Sequence, residues 1–334
     1  MSQSDPAIEW REAHMFGVHG KAWSDTEAPY DRLPAKAHGL VPQSVWNLSK
    51  HCAGMHVRFR TDADDIHVRW QPRNDALAMH HMPSTGVSGL DLYGRDPGEP
   101  WRYLGNASPK TKPCDHTFKI DDDRCAEYLI YLPLYNGLTS LQIGIPAGEA
   151  IEPIRPEDIP GLPVVFYGTS ITQGACASRP GMAGVSILCR QLDVPFVNLG
   201  FSGSGKMEIE LADLLVELDA RLFVLDNLAN MNADLIAQRF VPFVQRLHAG
   251  RPDVPIVVIE DTCFKNICPT KKGAAVRLLV KQLQAQDMKD VLTFVPSEGM
   301  LGLDGEGVVD GVHHNDLGMW RQAQKLAEVL VKYI

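Results

Sequence analysis

Val164-Val165-Phe166-Tyr167-Gly168-Thr169-Ser170-Ile171-Thr172-Gln173-Gly174 joins a short apolar run to a hydroxyl-bearing turn. Residues 164–167 are β-branched or aromatic without a polar break, and Gly168 cuts the run. A continuous apolar run ended by a turn signal is the mark of a buried parallel strand. In open α/β sheets ligands bind beyond the carboxyl ends of the strands, so such a turn would present Ser170 as a nucleophile. On its own Ser170 would read more readily as a helix-capping serine, and the matching Asp310 and His313 reverse that. A serine hydroxyl attacks only when a base takes its proton. The candidate base stands near the far end of the chain, in Val309-Asp310-Gly311-Val312-His313, where Asp310 is close enough in sequence to orient the His313 ring. Serine, histidine and carboxylate in these roles make an acyl-transfer site whatever their order along the chain.

Outward from this stretch the pattern remains α/β. After Pro163, apolar segments at 164–167, 196–199, 222–225, 255–259 and 292–295 alternate with helical periodicity at 184–192, 208–218, 235–247, 273–284 and 318–333. Five strands interleaved with helices predict a doubly wound parallel sheet. Residues before 148 read differently. Segments 56–61 and 66–70 alternate apolar with polar around Asp62-Ala63-Asp64-Asp65, which predicts a hairpin. Short β segments at 89–93, 101–104, 127–132 and 140–145 continue the pattern, so an all-β sandwich is expected. Residues 148–160 are rich in proline and acid and lack a period, as a linker does. The expected organisation is a β domain over 1–147, a linker over 148–162 and an α/β domain over 163–334.

Composition narrows the function classes. The chain has 334 residues, 22% of them charged and 45% hydrophobic, with a formal net charge of −9. These fractions fit an ordinary globular protein. The acidic balance, with no basic run, argues against a nucleic-acid or anionic-membrane partner. No apolar stretch has membrane-spanning length, so membrane insertion is not expected. The first residues lack the basic start and apolar core of a signal peptide. A cytoplasmic location is therefore expected, or a periplasmic or secreted one if a leader has been removed. Seven scattered cysteines are an odd number and suit reduced thiols. Cys189 reads as a small buried hydrophobe, and Cys263 with Cys268 is half of a zinc site without a second half. No metal and no cofactor is expected.

Four blocks along the chain resemble those of the SGNH, or GDSL-like, hydrolases. Gly168-Thr169-Ser170-Ile171-Thr172 is similar to the first, with Thr169 in place of the usual aspartate. Asn198-Leu199-Gly200-Phe201-Ser202-Gly203 is similar to the second, Leu225-Asp226-Asn227-Leu228-Ala229-Asn230 to the third and Asp310-Gly311-Val312-His313 to the last. The third block keeps only its asparagine, and His314 stands where proline is usual. Gly89-Leu90-Asp91-Leu92-Tyr93 resembles the Gly-x-Asp-Leu-Tyr signature of an N-terminal domain found in one subgroup.

The resemblance implies a flavodoxin-like three-layer domain behind a jelly-roll-like sandwich. It also implies a serine esterase in which Ser170 attacks, His313 is the base and Asp310 orients it. Gly203, Asn230 and the Ser170 N–H would form the oxyanion hole. Small acyl groups are implied, with O-acetyl on a carbohydrate the leading substrate; a lipid-derived or small-molecule ester is the alternative. A carbohydrate-binding protein with a decayed hydrolase site is the rival from another class. His314, Asp91 and Tyr93 are candidate substrate contacts, the alternatives being a surface position for His314 and a loop-orienting role for Asp91. Trp70, Tyr93 and Tyr135 are candidate aromatic faces for a sugar, although aromatics in a sandwich are more often core. Whether the chain forms a homo-oligomer is left open.

Overall fold

The computed structural model describes residues 7–120, 124–262 and 268–334. Its N-terminal part is a sandwich of two antiparallel sheets. The strands are β1 (Ile8–Glu12), β2 (His56–Thr61), β3 (Asp65–Pro72), β4 (Leu90–Arg95), β5 (Arg102–Ala107), β6 (Cys114–Lys119), β7 (Glu127–Tyr131), β8 (Leu138–Pro146) and β9 (Ile151–Ile154). One sheet has the order β1-β8-β3-β6 and the other β5-β4-β7-β2-β9. Short helices α1 (Gln43–Leu48) and α2 (Ser84–Val87) interrupt the connections.

The alternation in β2 and β3 is present, but the predicted hairpin is not. β2 pairs with β7 and β9, whereas β3 pairs with β6 and β8. Val57 and Phe59 from β2 meet Ile66, Val68 and Trp70 from β3 in one core. The two strands face each other across the sandwich instead of lying side by side, because each buries its apolar face against the other's. Residues 151–154, expected in a linker, form β9 and extend the β2 sheet. Ile151 and Ile154 are buried there and Glu152 and Pro153 exposed, so the proline and acid that suggested a linker occupy the outer positions of an edge strand.

The C-terminal part holds one parallel sheet of β10 (Val164–Gly168), β11 (Phe196–Gly200), β12 (Leu222–Asp226), β13 (Ile256–Ile259) and β14 (Leu292–Val295), in the order β11-β10-β12-β13-β14. Counted within this domain the order is 2-1-3-4-5, the flavodoxin-like arrangement. All residues of β10, β11 and β12 are buried. That is why they read as uninterrupted apolar runs, since helices cover both faces. The helices are α3 (Ser170–Gln173), α4 (Gly184–Leu192), α5 (Ile209–Leu215), α6 (Ala233–Gly250), α7 (Lys271–Leu283) and α8 (Asp316–Leu330). Val164 and Phe166 pack with Ile187 of α4 and Met319 of α8. Val165 and Tyr167 point the other way, towards Leu211 of α5, Phe243 of α6 and Val280 of α7. No helix among the described residues is long and apolar enough to cross a membrane.

One segment crosses the expected domain division. Trp23, Leu33, Val45 and Trp46 precede β2 in sequence, yet they belong to the core under the parallel sheet. Arg32 fixes this segment in place. Its fully buried guanidinium donates to the carbonyls of Leu48 (2.7 Å), His51 (2.9 Å), Asn198 (3.1 Å) and Gly200 (2.7 Å), and it lies 4.7 Å from the Phe201 ring centre. Burial lowers its pKa to about 10, so it remains a cation at neutral pH.

The cysteines depart from the reading of reduced thiols at one place. Cys268 is disulfide-bonded, whereas Cys52, Cys114, Cys176 and Cys189 are buried free thiols. Cys263, the other half of the zinc reading, lies outside the described residues.

Arg32→Met keeps the volume and removes every donor, leaving buried carbonyls unsatisfied at about 1–3 kcal/mol each. Urea unfolding should show a loss of at least about 2 kcal/mol at unchanged slope. A loss below about 0.5 kcal/mol would mean that the cation holds nothing in place.

Candidate active site

β10 ends at Gly168, and the chain turns straight into the single helical turn α3. Thr169 caps it, its Oγ1 accepting the Ile171 N–H at 3.3 Å. A hydroxyl oxygen performs that task, which is why threonine suffices where the resembling family has aspartate. Gly174 ends the turn in the left-handed region at φ +112°. Ser170 thus sits at the carboxyl end of β10, whose neighbours β11 and β12 flank the point where strand order reverses.

The far end of the chain meets it there. Ser170 Oγ is 2.9 Å from His313 Nε2, and His313 Nδ1 is 2.7 Å from Asp310 Oδ2. With Nδ1–H donating to the carboxylate, Nε2 is the acceptor for the serine proton. The other Asp310 oxygen accepts the backbone N–H groups of Val312 (3.0 Å) and His313 (2.8 Å). Partial burial pushes the Asp310 carboxyl up, but the His313 backbone and ring and the Val312 N–H outweigh it and hold the group well below the usual carboxylate range. Asp310 is therefore an anion at any pH at which the protein is used.

The loop of residues 200–205 is placed by close approach. A Cβ on Gly200 would lie 2.2 Å from the Gln173 nitrogen, and one on Gly205 only 2.1 Å from the Gly168 oxygen. Glycine at these two positions lets residues 200–205 lie against the Ser170 turn. Gly203 itself is exposed, with φ +66° and open space where a Cβ would stand. Asn230 ends a short 3₁₀ turn after β12 and donates from Nδ2 to the Ser204 carbonyl, which ties its amide to the same loop. The structure thus brings Gly203 and Asn230 to the loop beside Ser170.

Several supporting groups escaped the sequence reading. Gln173 accepts the Ser202 N–H at 3.0 Å and donates to the Leu134 carbonyl at 3.1 Å. Asn198 donates to the Thr172 carbonyl at 2.7 Å and accepts the Gly200 N–H at 2.9 Å. Tyr135 donates to the Ser170 carbonyl at 3.3 Å. Thr172 donates to Asp226 at 2.9 Å. Asn198 and Asp226 lie inside quoted blocks, and that was the available signal; Gln173, Tyr135 and Leu134 meet only through the fold.

The remaining candidates are corrected by burial. His314 is fully buried, 3.1 Å from Thr262 Oγ1 through Nε2, and burial lowers its pKa to about 3. It does not reach the surface, and its neighbour His313, which meets Ser170, takes the more open side. Asp91 and Tyr93 are buried as well, and both bind Arg179 Nη1, at 2.9 and 2.7 Å. Asp91 also accepts the Gly181 N–H at 2.7 Å. They fasten the sandwich to the loop that follows α3 and do not contact substrate. Trp70 donates to the Ser88 carbonyl at 2.9 Å inside the sandwich core, so it offers no sugar face.

Comparison with known proteins agrees with this geometry. The model of the GDSL-like lipase/acylhydrolase family matches residues 162–331, and that of the GxDLY N-terminus of SGNH-hydrolase-type esterases matches residues 8–151. A protein from Bacteroides ovatus described as a GDSL-like lipase has a structure that superposes with a TM-score of 0.89 at 32% identity, over 98% of each chain. The salicylyl-acyltransferase SsfX3 of a tetracycline biosynthetic pathway gives 0.70 at 18% identity, over 98% of this chain and 94% of that one. A family two carbohydrate esterase from Cellvibrio japonicus gives 0.62 at 12% identity, over 98% of each chain. At such identities the last two share the fold. No curated protein matches the sequence.

Asp226 supplies a pH test of the site's support. Burial raises its carboxyl to about 6, against the lowering effect of Thr172. A raised acid contributes stability that is complete below its unfolded value near 4 and lost as pH rises through about 6. The unfolding free energy of the protein, relative to Asp226→Asn, should therefore fall by roughly 2 kcal/mol between pH 4 and 6.5. A difference that stays flat across that window would show that the buried carboxyl is not perturbed.

Proposed function

Because this chain belongs to the GDSL-like lipase/acylhydrolase family and is an esterase, we propose that it cleaves short acyl esters, O-acetyl groups on a carbohydrate foremost, through an acyl-enzyme on Ser170. The observation that carries the reading is the chain of contacts from Ser170 Oγ to His313 Nε2 at 2.9 Å and from His313 Nδ1 to Asp310 at 2.7 Å. Ser170 Oγ attacks the ester carbonyl while His313 Nε2 takes its proton. The new imidazolium is stabilised by ionised Asp310, which also fixes the tautomer. Negative charge develops on the carbonyl oxygen, and the Ser170 N–H, the Gly203 N–H and the second Asn230 amide proton are the donors for it. The intermediate collapses as His313 returns the proton to the departing alkoxide, releasing the alcohol. Water activated by the same His313 then attacks the acyl-enzyme, Ser170 regains its proton and the acid leaves.

The carbohydrate part of the reading is supported by the two-domain architecture shared with the family two carbohydrate esterases, one of which, from Clostridium thermocellum, binds cellohexaose. A decayed binding protein would not need Asp310, His313 and Ser170 held within hydrogen-bond reach of one another, so the assembled site favours hydrolysis.

Hydrolysis of p-nitrophenyl acetate, butyrate and octanoate by the wild type should fall with chain length. Ser170→Ala should lose at least about a thousandfold in kcat, and Asp310→Asn about a hundredfold or more. Asn230→Ala should lose about a hundredfold, as for other oxyanion donors. Equal rates for Ser170→Ala and wild type would remove Ser170 as nucleophile.

A further inference from the structure

The sandwich sends one tight turn to the mouth of this site. Met79 and Met82 exchange both backbone hydrogen bonds, at 2.9 and 3.1 Å, which leaves His80 and His81 as the two tip residues. Three contacts hold the turn against the segment that follows the nucleophile. Met82 is buried with Ala175, Cys176 and Ala177. A Cβ on Gly86 would lie 2.4 Å from the Ala177 oxygen, so the backbones touch there. Thr85 Oγ1 donates to the Ser178 carbonyl at 2.5 Å. These contacts anchor the C-terminal side of the turn to that segment.

The ring of His81 lies over that of His313, centres 6.1 Å apart and planes 29° apart. His81 Nδ1 and His80 Nε2 are 3.0 Å from each other, which engages one nitrogen of each ring. Nε2 of His81 has no hydrogen-bond partner among the described residues, and the side chain is half-buried. Burial first, and then His80 and His313, lower the pKa of His81, against a smaller opposite effect of Asp310. At neutral pH it is an uncharged imidazole with one nitrogen to spend.

The chemistry of the proton transfer says which part of an ester meets it. His313 must hand its proton to the leaving alkoxide, so the alcohol departs along the His313 side of the site. The acyl oxygen points to residues 203 and 230 instead. We propose that His81 is a specificity-determining residue that hydrogen-bonds a hydroxyl on the alcohol next to the scissile ester oxygen. The inference rests on the esterase reading above and narrows its substrate to hydroxyl-bearing alcohols such as partly acetylated sugars.

The test compares kcat/KM of wild type, His81→Ala and His81→Gln on two acetates. p-Nitrophenyl acetate has no hydroxyl on its leaving group; a mono-O-acetylated methyl glycoside with free neighbouring hydroxyls does. Thermal melts and fluorophosphonate labelling of Ser170 confirm that each variant is folded. His81→Ala should lose about five- to tenfold more on the glycoside than on p-nitrophenyl acetate, the worth of one net hydrogen bond, and His81→Gln should recover part of it. Equal losses on both esters, or no loss on either, would overturn the proposal. So would a wild type that cleaves p-nitrophenyl acetate and no hydroxyl-bearing acetate, with the nucleophile assignment still standing. Retained activity in Ser170→Ala would instead sink the esterase reading itself.

Discussion

A buried cation without a carboxylate partner among the described residues holds the middle of this molecule together. The Arg32 guanidinium is solvated by four carbonyl oxygens, two from residues 48–51 and two from the end of β11. A planar fork of donors suits this task, where a lysine ammonium would satisfy fewer directions at once. The consequence is geometric. The segment between β1 and β2 is bound to the strand end from which the 200–205 loop departs, and that loop is the one brought against the Ser170 turn.

The site is therefore assembled from segments that are far apart along the chain and tied to one another by hydrogen bonds. Gln173 joins the nucleophile turn to the sandwich at Leu134 and to the loop at Ser202. Asn198 joins the end of β11 to the same turn through Thr172. Asp91, Tyr93 and Arg179 close the other side of the seam. An esterase gains from such bracing, because groups that stabilise developing charge act by being fixed before it develops. The N-terminal domain accordingly belongs to the site's frame. It supplies the Tyr135 contact to the Ser170 carbonyl and the turn that carries His80 and His81.

Much of this was legible in the chain. The strands of the parallel sheet and their helices could be read because uninterrupted apolar runs and 3.6-residue periodicity are local signals. Ser170, His313 and Asp310 could be read because a turn after a buried strand, and a carboxylate three residues from a histidine, are local too. The failures share one cause. Alternation says that β2 and β3 each have an apolar face, but not whether those faces lie in one sheet or oppose each other across two. Proline and acid at 151–154 mark an edge as readily as a linker. His313 and His314 are the same residue type side by side, and only the packing of Thr262 against one of them shows which is buried.

The sequence by itself thus determined the order and type of most elements and which residues were candidates for the site, since each follows from neighbours along the chain. The tertiary structure alone decided which sheet each strand joins, that residues 23–48 belong to the core beneath the parallel sheet, and that Asp91 and Tyr93 fasten domains. It also decided that His81 stands over His313. These are contacts between residues far apart in sequence, set by which apolar faces and buried polar groups find partners when the whole chain closes, and no local pattern records that choice.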